Sequence, residues 1–131
     1  MKTLIVEDDL TSRILMQEIL KKYGSTHVAV HGKEAVQAVG LALAGNEPYQ
    51  LICLDIMMPE MDGQTALKEI RDLEESYGIL SSVGAKVIMT TALHDLRNVS
   101  NAYRNLCDGY LVKPIDRSQL IELLRKLGLL E

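Results

Sequence analysis

Apolar residues follow two rhythms along this chain. Short strand-type runs occupy residues 3–6, 27–30, 51–54, 86–90 and 110–112. The stretches between them carry apolar residues at helical spacing. In the first stretch Ile14, Leu15, Ile19 and Leu20 are assigned to one face, Tyr23 extends it, and Gly24 supplies a stop. The second covers residues 33–44 and is rich in Ala and Val. The third starts near Gln64 and passes Leu67, Ile70 and Leu73, and the fourth covers residues 93–106. The last has Leu120, Ile121, Leu124 and Leu127 on its apolar face, with Asp116-Arg117-Ser118 offering N-cap residues before it.

Five strand–helix repeats predict a parallel sheet with helices on both faces. The first and third runs are apolar throughout, as expected of strands covered on both sides. Residues 74–84 are polar and glycine-flanked, which predicts a long end to the third helix followed by a loop. With no linker or low-complexity tract, the expectation is a single domain over residues 1–131.

Composition narrows the function classes. A chain of 131 residues supports one buried core. A net charge of -4 argues against a nucleic-acid-binding surface, which would carry a basic stripe. No apolar run approaches the ~20 residues of a membrane span. No signal-type segment precedes the first strand, so a cytoplasmic location is expected. Cys53 and Cys107 form no CxxC pair. Cys53, inside the run Leu51-Ile52-Cys53-Leu54, reads as a small core residue. Phe and Trp are absent, so Leu, Ile, Val, Ala and Met must build the core.

Open parallel sheets bind ligands at the carboxyl ends of their strands. Glu7-Asp8-Asp9 follow the first run, Asp55 the third, Thr90-Thr91 close the fourth, and Lys113-Pro114 follow the fifth. Each piece alone is ordinary: an acidic loop, a turn Asp, a lone Thr or Lys. Asp9 suits the N-cap of the first helix. Together they differ, because Asp8 and Asp55 on adjacent central strands need a cation between them. Oxygen-only ligands suit Mg²⁺. A carboxylate can accept a phosphoryl group, whose charge Mg²⁺ and Lys113 would offset. Thr91 and the Ala92 N–H could donate hydrogen bonds to it.

These residues resemble a known family. The segments Ile5-Val6-Glu7-Asp8-Asp9, Leu54-Asp55-Ile56-Met57-Met58-Pro59-Glu60-Met61-Asp62-Gly63, Thr91-Ala92 and Lys113-Pro114 are similar, in order and spacing, to CheY-like receiver domains of two-component response regulators. The resemblance spans the whole chain. It implies a flavodoxin-like, doubly wound five-stranded parallel sheet of order 2-1-3-4-5, with five helices in a three-layer α/β/α arrangement. Asp55 becomes the phosphoacceptor, Asp8 a direct Mg²⁺ ligand, Glu7 a ligand through water, and Met57 a ligand through its backbone carbonyl. Thr91 becomes the switch hydroxyl, Lys113 the phosphate-pairing lysine and Tyr110 the switch aromatic. The bond before Pro114 is expected to be cis. Gly63 is expected to be a plain turn glycine at the start of the third helix. Met57 and Leu93, at positions that tune dephosphorylation in the family, are apolar and imply a long-lived phosphorylated state.

The implied cycle runs from a sensor histidine kinase or histidine phosphotransfer protein to Asp55. Phosphorylation then reshapes the face of the fourth helix, fifth strand and fifth helix for an unknown protein target. The chain would act as substrate and switch, not as an enzyme, without membrane or direct nucleic-acid contacts. Both a monomer and a phosphorylation-dependent dimer fit. The expectation is a single-domain regulator without an output domain, not a piece of a larger protein. Two rivals on chemical grounds fare worse. An aspartyl phosphohydrolase would need an acid where Met57 stands, and a flavin carrier would have Glu7-Asp8-Asp9 repelling its cofactor phosphate.

Overall fold

The computed structural model describes residues 1–58, 61–92 and 107–131. Five strands, β1 (Thr3–Val6), β2 (Thr26–Ala29), β3 (Leu51–Asp55), β4 (Lys86–Thr91) and β5 (Gly109–Val112), form one sheet. Its order is β2-β1-β3-β4-β5, and every pairing is parallel. The helices among the described residues are α1 (Leu10–Leu20), α2 (Gly32–Ala44), α3 (Gly63–Ser76) and α4 (Arg117–Lys126). The helix expected over residues 93–106, Leu93 included, and residues 59 and 60 lie outside the described residues.

Strand alternation explains the layers. Leu4 and Val6 of β1, Ile52 and Leu54 of β3, and Val87 and Met89 of β4 face one side, where Ala35, Val39, Leu67 and Ile70 of α2 and α3 cover them. Ile5, Cys53 and Ile88 face the other side, against Met16, Ile19 and Leu20 of α1 and Leu120 and Leu124 of α4. A side chain that points to alternate faces at each residue thus feeds two separate cores from one strand. Full burial of each such Leu or Ile contributes about 1.5–3 kcal/mol. Both faces of β1 and β3 are buried throughout, which is why their sequences do not alternate.

The helix starts follow from their caps. Asp9, Asp62 and Asp116 each accept a hydrogen bond from the backbone N–H three residues on, at 2.9, 2.8 and 3.1 Å. At the far end of α1 a 3-10 turn (Lys21–Tyr23) leads to Gly24, whose φ of 144° lies outside the range of ordinary side chains. Residues 77–85 form turns between α3 and β4, as the polar stretch implied.

Two expectations need correction. Ile14 and Leu15 do not join the core; they are 49% and 41% exposed, and Met16 is buried instead. Gly63 is more than a turn glycine. A Cβ there would stand 2.3 Å from the Asp55 carbonyl oxygen, and the Gly63 N–H donates to the Ile56 carbonyl at 2.8 Å. α3 therefore begins in backbone contact with the end of β3, and only a residue without a side chain fits.

Candidate functional site

The strand order reverses between β1 and β3, and the register places Val6 beside Leu54. The next residue along each chain segment carries a carboxylate: Glu7, just past β1, and Asp55, the last residue of β3, both buried. Asp8 follows, exposed. One carboxylate oxygen from each of Glu7, Asp8 and Asp55 lies within 4.8 Å of the others. This is the crevice in which doubly wound sheets bind ligands.

Lys113, directly after β5, reaches into this cluster. Its Nζ is 2.6 Å from Glu7 Oε1 and 3.1 Å from Asp55 Oδ2. The Met57 N–H donates to the other Asp55 oxygen at 3.2 Å, so Asp55 is held on both sides. Burial and the neighbouring Asp55 push the Glu7 carboxyl above its ordinary range, although Lys113 opposes this. Burial alone would lower the Lys113 ammonium, but the hydrogen bond to Glu7 and the charge of Asp55 hold it above its usual value. The backbone N–H and the side-chain hydroxyl of Ser12 at the start of α1 keep exposed Asp9 below the usual carboxylate range, as a helix N-cap should be.

Thr91 closes β4 and is buried. Its hydroxyl donates to the Ala92 carbonyl at 3.3 Å, and its own carbonyl accepts the Lys113 N–H at 2.7 Å. The threonine and the lysine are thus linked through the backbone of adjacent strands. The Lys113–Pro114 bond is cis. Tyr110 is 38% exposed on β5 and lines a groove with Gln119, Glu122, Leu123 and Lys126 of α4. Met57 is 62% exposed beside Asp55.

The structure therefore gathers Glu7, Asp8, Asp55 and Lys113 at one point, with Thr91 at the end of the next strand. Tyr110 stands apart, on the β5–α4 surface. The donor set of Glu7, Asp8 and Asp55 is all carboxylate oxygen, with the Met57 carbonyl in the adjoining loop, and this fits a hard divalent ion such as Mg²⁺.

Sequence reasoning missed three features. Arg13 reaches from α1 to the Glu7 carbonyl at 3.2 Å. His27 of β2 and Tyr49, just before β3, share a 2.7 Å hydrogen bond. Arg71 joins Glu74 at 2.6 Å and Asp108 at 3.0 Å in a largely buried network. The last had a signal: Arg71 and Glu74 follow Leu67 and Ile70 by four residues, on the same stripe.

A doubly wound sheet of order 2-1-3-4-5, with carboxylates, a hydroxyl and a lysine gathered at its carboxyl edge, defines a CheY-like signalling domain. The family model "Response regulator receiver domain" matches residues 3–125, and the chain belongs to that family. It is 32% identical over 130 residues to the chemotaxis protein CheY of Bacillus subtilis, covering 95% of each chain. The solved receiver domain of the Arabidopsis thaliana histidine kinase CKI1, complexed with Mg²⁺ and BeF₃⁻, is 31% identical. It superposes with a TM-score of 0.81 over 97% of this chain and 89% of that one. The receiver domain of the sensor histidine kinase PA1611 of Pseudomonas aeruginosa, with a magnesium ion in its active-site cleft, is 25% identical. Its TM-score is 0.76, with 97% of each chain covered. The protein is accordingly a receiver domain of the two-component type. Among the described residues no helix is long and apolar enough to cross a membrane.

Proposed function

We propose that this chain is a phosphoacceptor switch in which a phosphoryl group moves from a histidine donor to Asp55. The observation that carries the proposal is the position of Asp55: its carboxylate lies beside Glu7 and Asp8 and 3.1 Å from Lys113. Two acidic neighbours call for a cation, and the lysine supplies a further charge for an incoming anion. Glu7, Asp8, Asp55 and the Met57 carbonyl would hold Mg²⁺, which when bound offsets charge on the transferring oxygens. Two solved receiver domains support this choice of metal, one with a magnesium ion in its active-site cleft and one complexed with Mg²⁺ and BeF₃⁻.

The chain's own residues divide the work. An Asp55 oxygen forms the new bond to phosphorus while the P–N bond of the donor breaks and the departing imidazole takes up a proton. The Met57 N–H orients Asp55. Lys113 leaves its contact with Glu7 to pair with the phosphoryl oxygens. The Thr91 hydroxyl, in a long 3.3 Å bond to Ala92, has a weak partner to give up. Its turn toward the phosphoryl group opens space for Tyr110 and biases the β5–α4 face toward a second state. The domain is then a substrate and a switch, and turns over no substrate of its own.

A protein donor is favoured by the surroundings. Leu10, Ile14 and Met57 are exposed apolar residues, Leu10 and Ile14 one turn apart on α1 and Met57 beside Asp55. The partner class is a histidine kinase or histidine phosphotransfer protein; several relatives are themselves histidine kinases. Incubation with acetyl phosphate and Mg²⁺ followed by intact mass measurement tests the proposal. One added phosphoryl group in the wild type, absent in Asp55→Asn and abolished by a chelator, is expected. No gain with either acetyl phosphate or a phosphohistidine protein would refute it.

A further inference from the structure

The loop between β1 and α1 carries three successive carboxylates, and within it the Asp9 N–H donates to Glu7 Oε2 at 3.3 Å. The Glu7 N–H still belongs to the sheet, donating to the Ala29 carbonyl of β2 at 3.0 Å. The Glu7 carbonyl has left the sheet. It accepts from Arg13 Nη1 at 3.2 Å. Arg13 itself sits one turn into α1, its N–H donating to the Asp9 carbonyl at 2.9 Å. The guanidinium thus reaches back across the loop and closes it into a ring from residue 7 to residue 13.

That contact fixes more than one oxygen. The Glu7 carbonyl belongs to the peptide plane joining Glu7 to Asp8, and a planar peptide fixes the direction in which the next Cα lies. Holding the carbonyl therefore orients the Asp8 backbone and the position from which its exposed carboxylate starts. We propose that Arg13 is a positioning residue for cation binding: it locks the Glu7–Asp8 peptide so that Asp8 stands ready beside Glu7 and Asp55. This rests on the reading of the acidic cluster as a Mg²⁺ site.

The competing role, a plain counter-charge to the acidic loop, makes the opposite prediction. Removing a nearby positive charge should tighten binding of a divalent cation. Removing a positioning contact should weaken it, by about 10-fold on the scale typical of outer contacts to metal ligands. Arg13→Lys separates the two further. It keeps the charge but replaces the flat guanidinium with a shorter point donor.

The experiment is Mg²⁺ titration by calorimetry of wild type, Arg13→Ala and Arg13→Lys. Amide hydrogen exchange at Asp8 and Asp9 is followed alongside in metal-free protein, and urea unfolding reports global stability. Weaker Mg²⁺ binding in Arg13→Ala, an intermediate value in Arg13→Lys and faster exchange at Asp8 and Asp9 without metal are expected. Tighter or unchanged Mg²⁺ binding in Arg13→Ala overturns the inference while leaving the site reading intact, as does a loss of stability alone. Absence of Mg²⁺ binding by the wild type overturns both.

Discussion

Lys113 Nζ lies 3.1 Å from Asp55 Oδ2, an ion pair that joins the residue after β5 to the end of β3 across the sheet's carboxyl edge. The same nitrogen is 2.6 Å from Glu7 Oε1, so one ammonium pairs with two buried carboxylates and offsets half of their charge. Removing it should leave both without a cation. In chelator, Lys113→Ala is expected to lower the unfolding free energy by about 1–3 kcal/mol.

The loss should depend on pH. Burial already raises the Glu7 carboxyl, so its folded value exceeds its unfolded one. An ionised Glu7 therefore costs stability at high pH, and that cost fades as pH falls through the folded value. Urea unfolding at pH 5 and pH 8 should show the larger deficit of Lys113→Ala at pH 8, with Mg²⁺ restoring part of it. An equal deficit at both values would dissociate Lys113 from the charge balance of the site.

Ile14 stands exposed on α1, one turn beyond exposed Leu10. A protein donor would cover this surface, whereas acetyl phosphate would not touch it. Ile14→Asp should slow phosphorylation by a phosphohistidine protein about 10-fold, a cost of ~1.4 kcal/mol, and leave the acetyl phosphate reaction unchanged. An unchanged rate with the phosphohistidine protein, or the same slowing with both donors, would remove α1 from the docking surface.

Arg71, Glu74 and Asp108 tie the end of α3 to the start of β4 and β5. Arg71 also donates to the Ala85 carbonyl at 2.8 Å, Glu74 accepts the Ala85 N–H at 2.7 Å, and Asp108 accepts the Val87 N–H at 2.8 Å. Arg71→Ala leaves buried Glu74 without its cation, while half-buried Asp108 keeps Lys86 at 4.0 Å, and should cost about 3–5 kcal/mol. Chemical denaturation measures it; a loss below 1 kcal/mol, on the scale of exposed pairs, would mean that water replaces the arginine.

Much of this arrangement was legible from the chain. Asp55, Thr91 and Lys113 each close an apolar run, so strand assignment alone carries them to one edge. β2 begins and ends one residue earlier than its apolar run, at Thr26–Ala29. The α1 face was harder. Leu10, Ile14, Leu15, Met16, Ile19 and Leu20 wrap around the helix, so spacing offers two stripes, and packing under the sheet selects Met16, Ile19 and Leu20. Contacts such as Arg13 to the Glu7 carbonyl leave no mark in hydropathy, because a main-chain acceptor has no sequence signature. Gly63 looked like a turn residue because the approach of the Asp55 carbonyl is visible only in three dimensions.

Cys53 lies on β3, two residues before Asp55, and is 2% exposed. Burial pushes its thiol up to about 12. A thiol reagent at pH 8 should leave Cys53 unmodified in the native protein and label it fully in denaturant. Rapid native labelling, read by peptide mass, would show that the centre of the sheet opens.

The central claim is that Asp55 receives the phosphoryl group. Phosphorylation with acetyl phosphate and Mg²⁺, followed by borohydride reduction, converts an aspartyl phosphate to homoserine, which peptide mass spectrometry then locates. Homoserine at position 55 alone is the predicted result. Homoserine at position 8 or 9, or at none, would contradict the account.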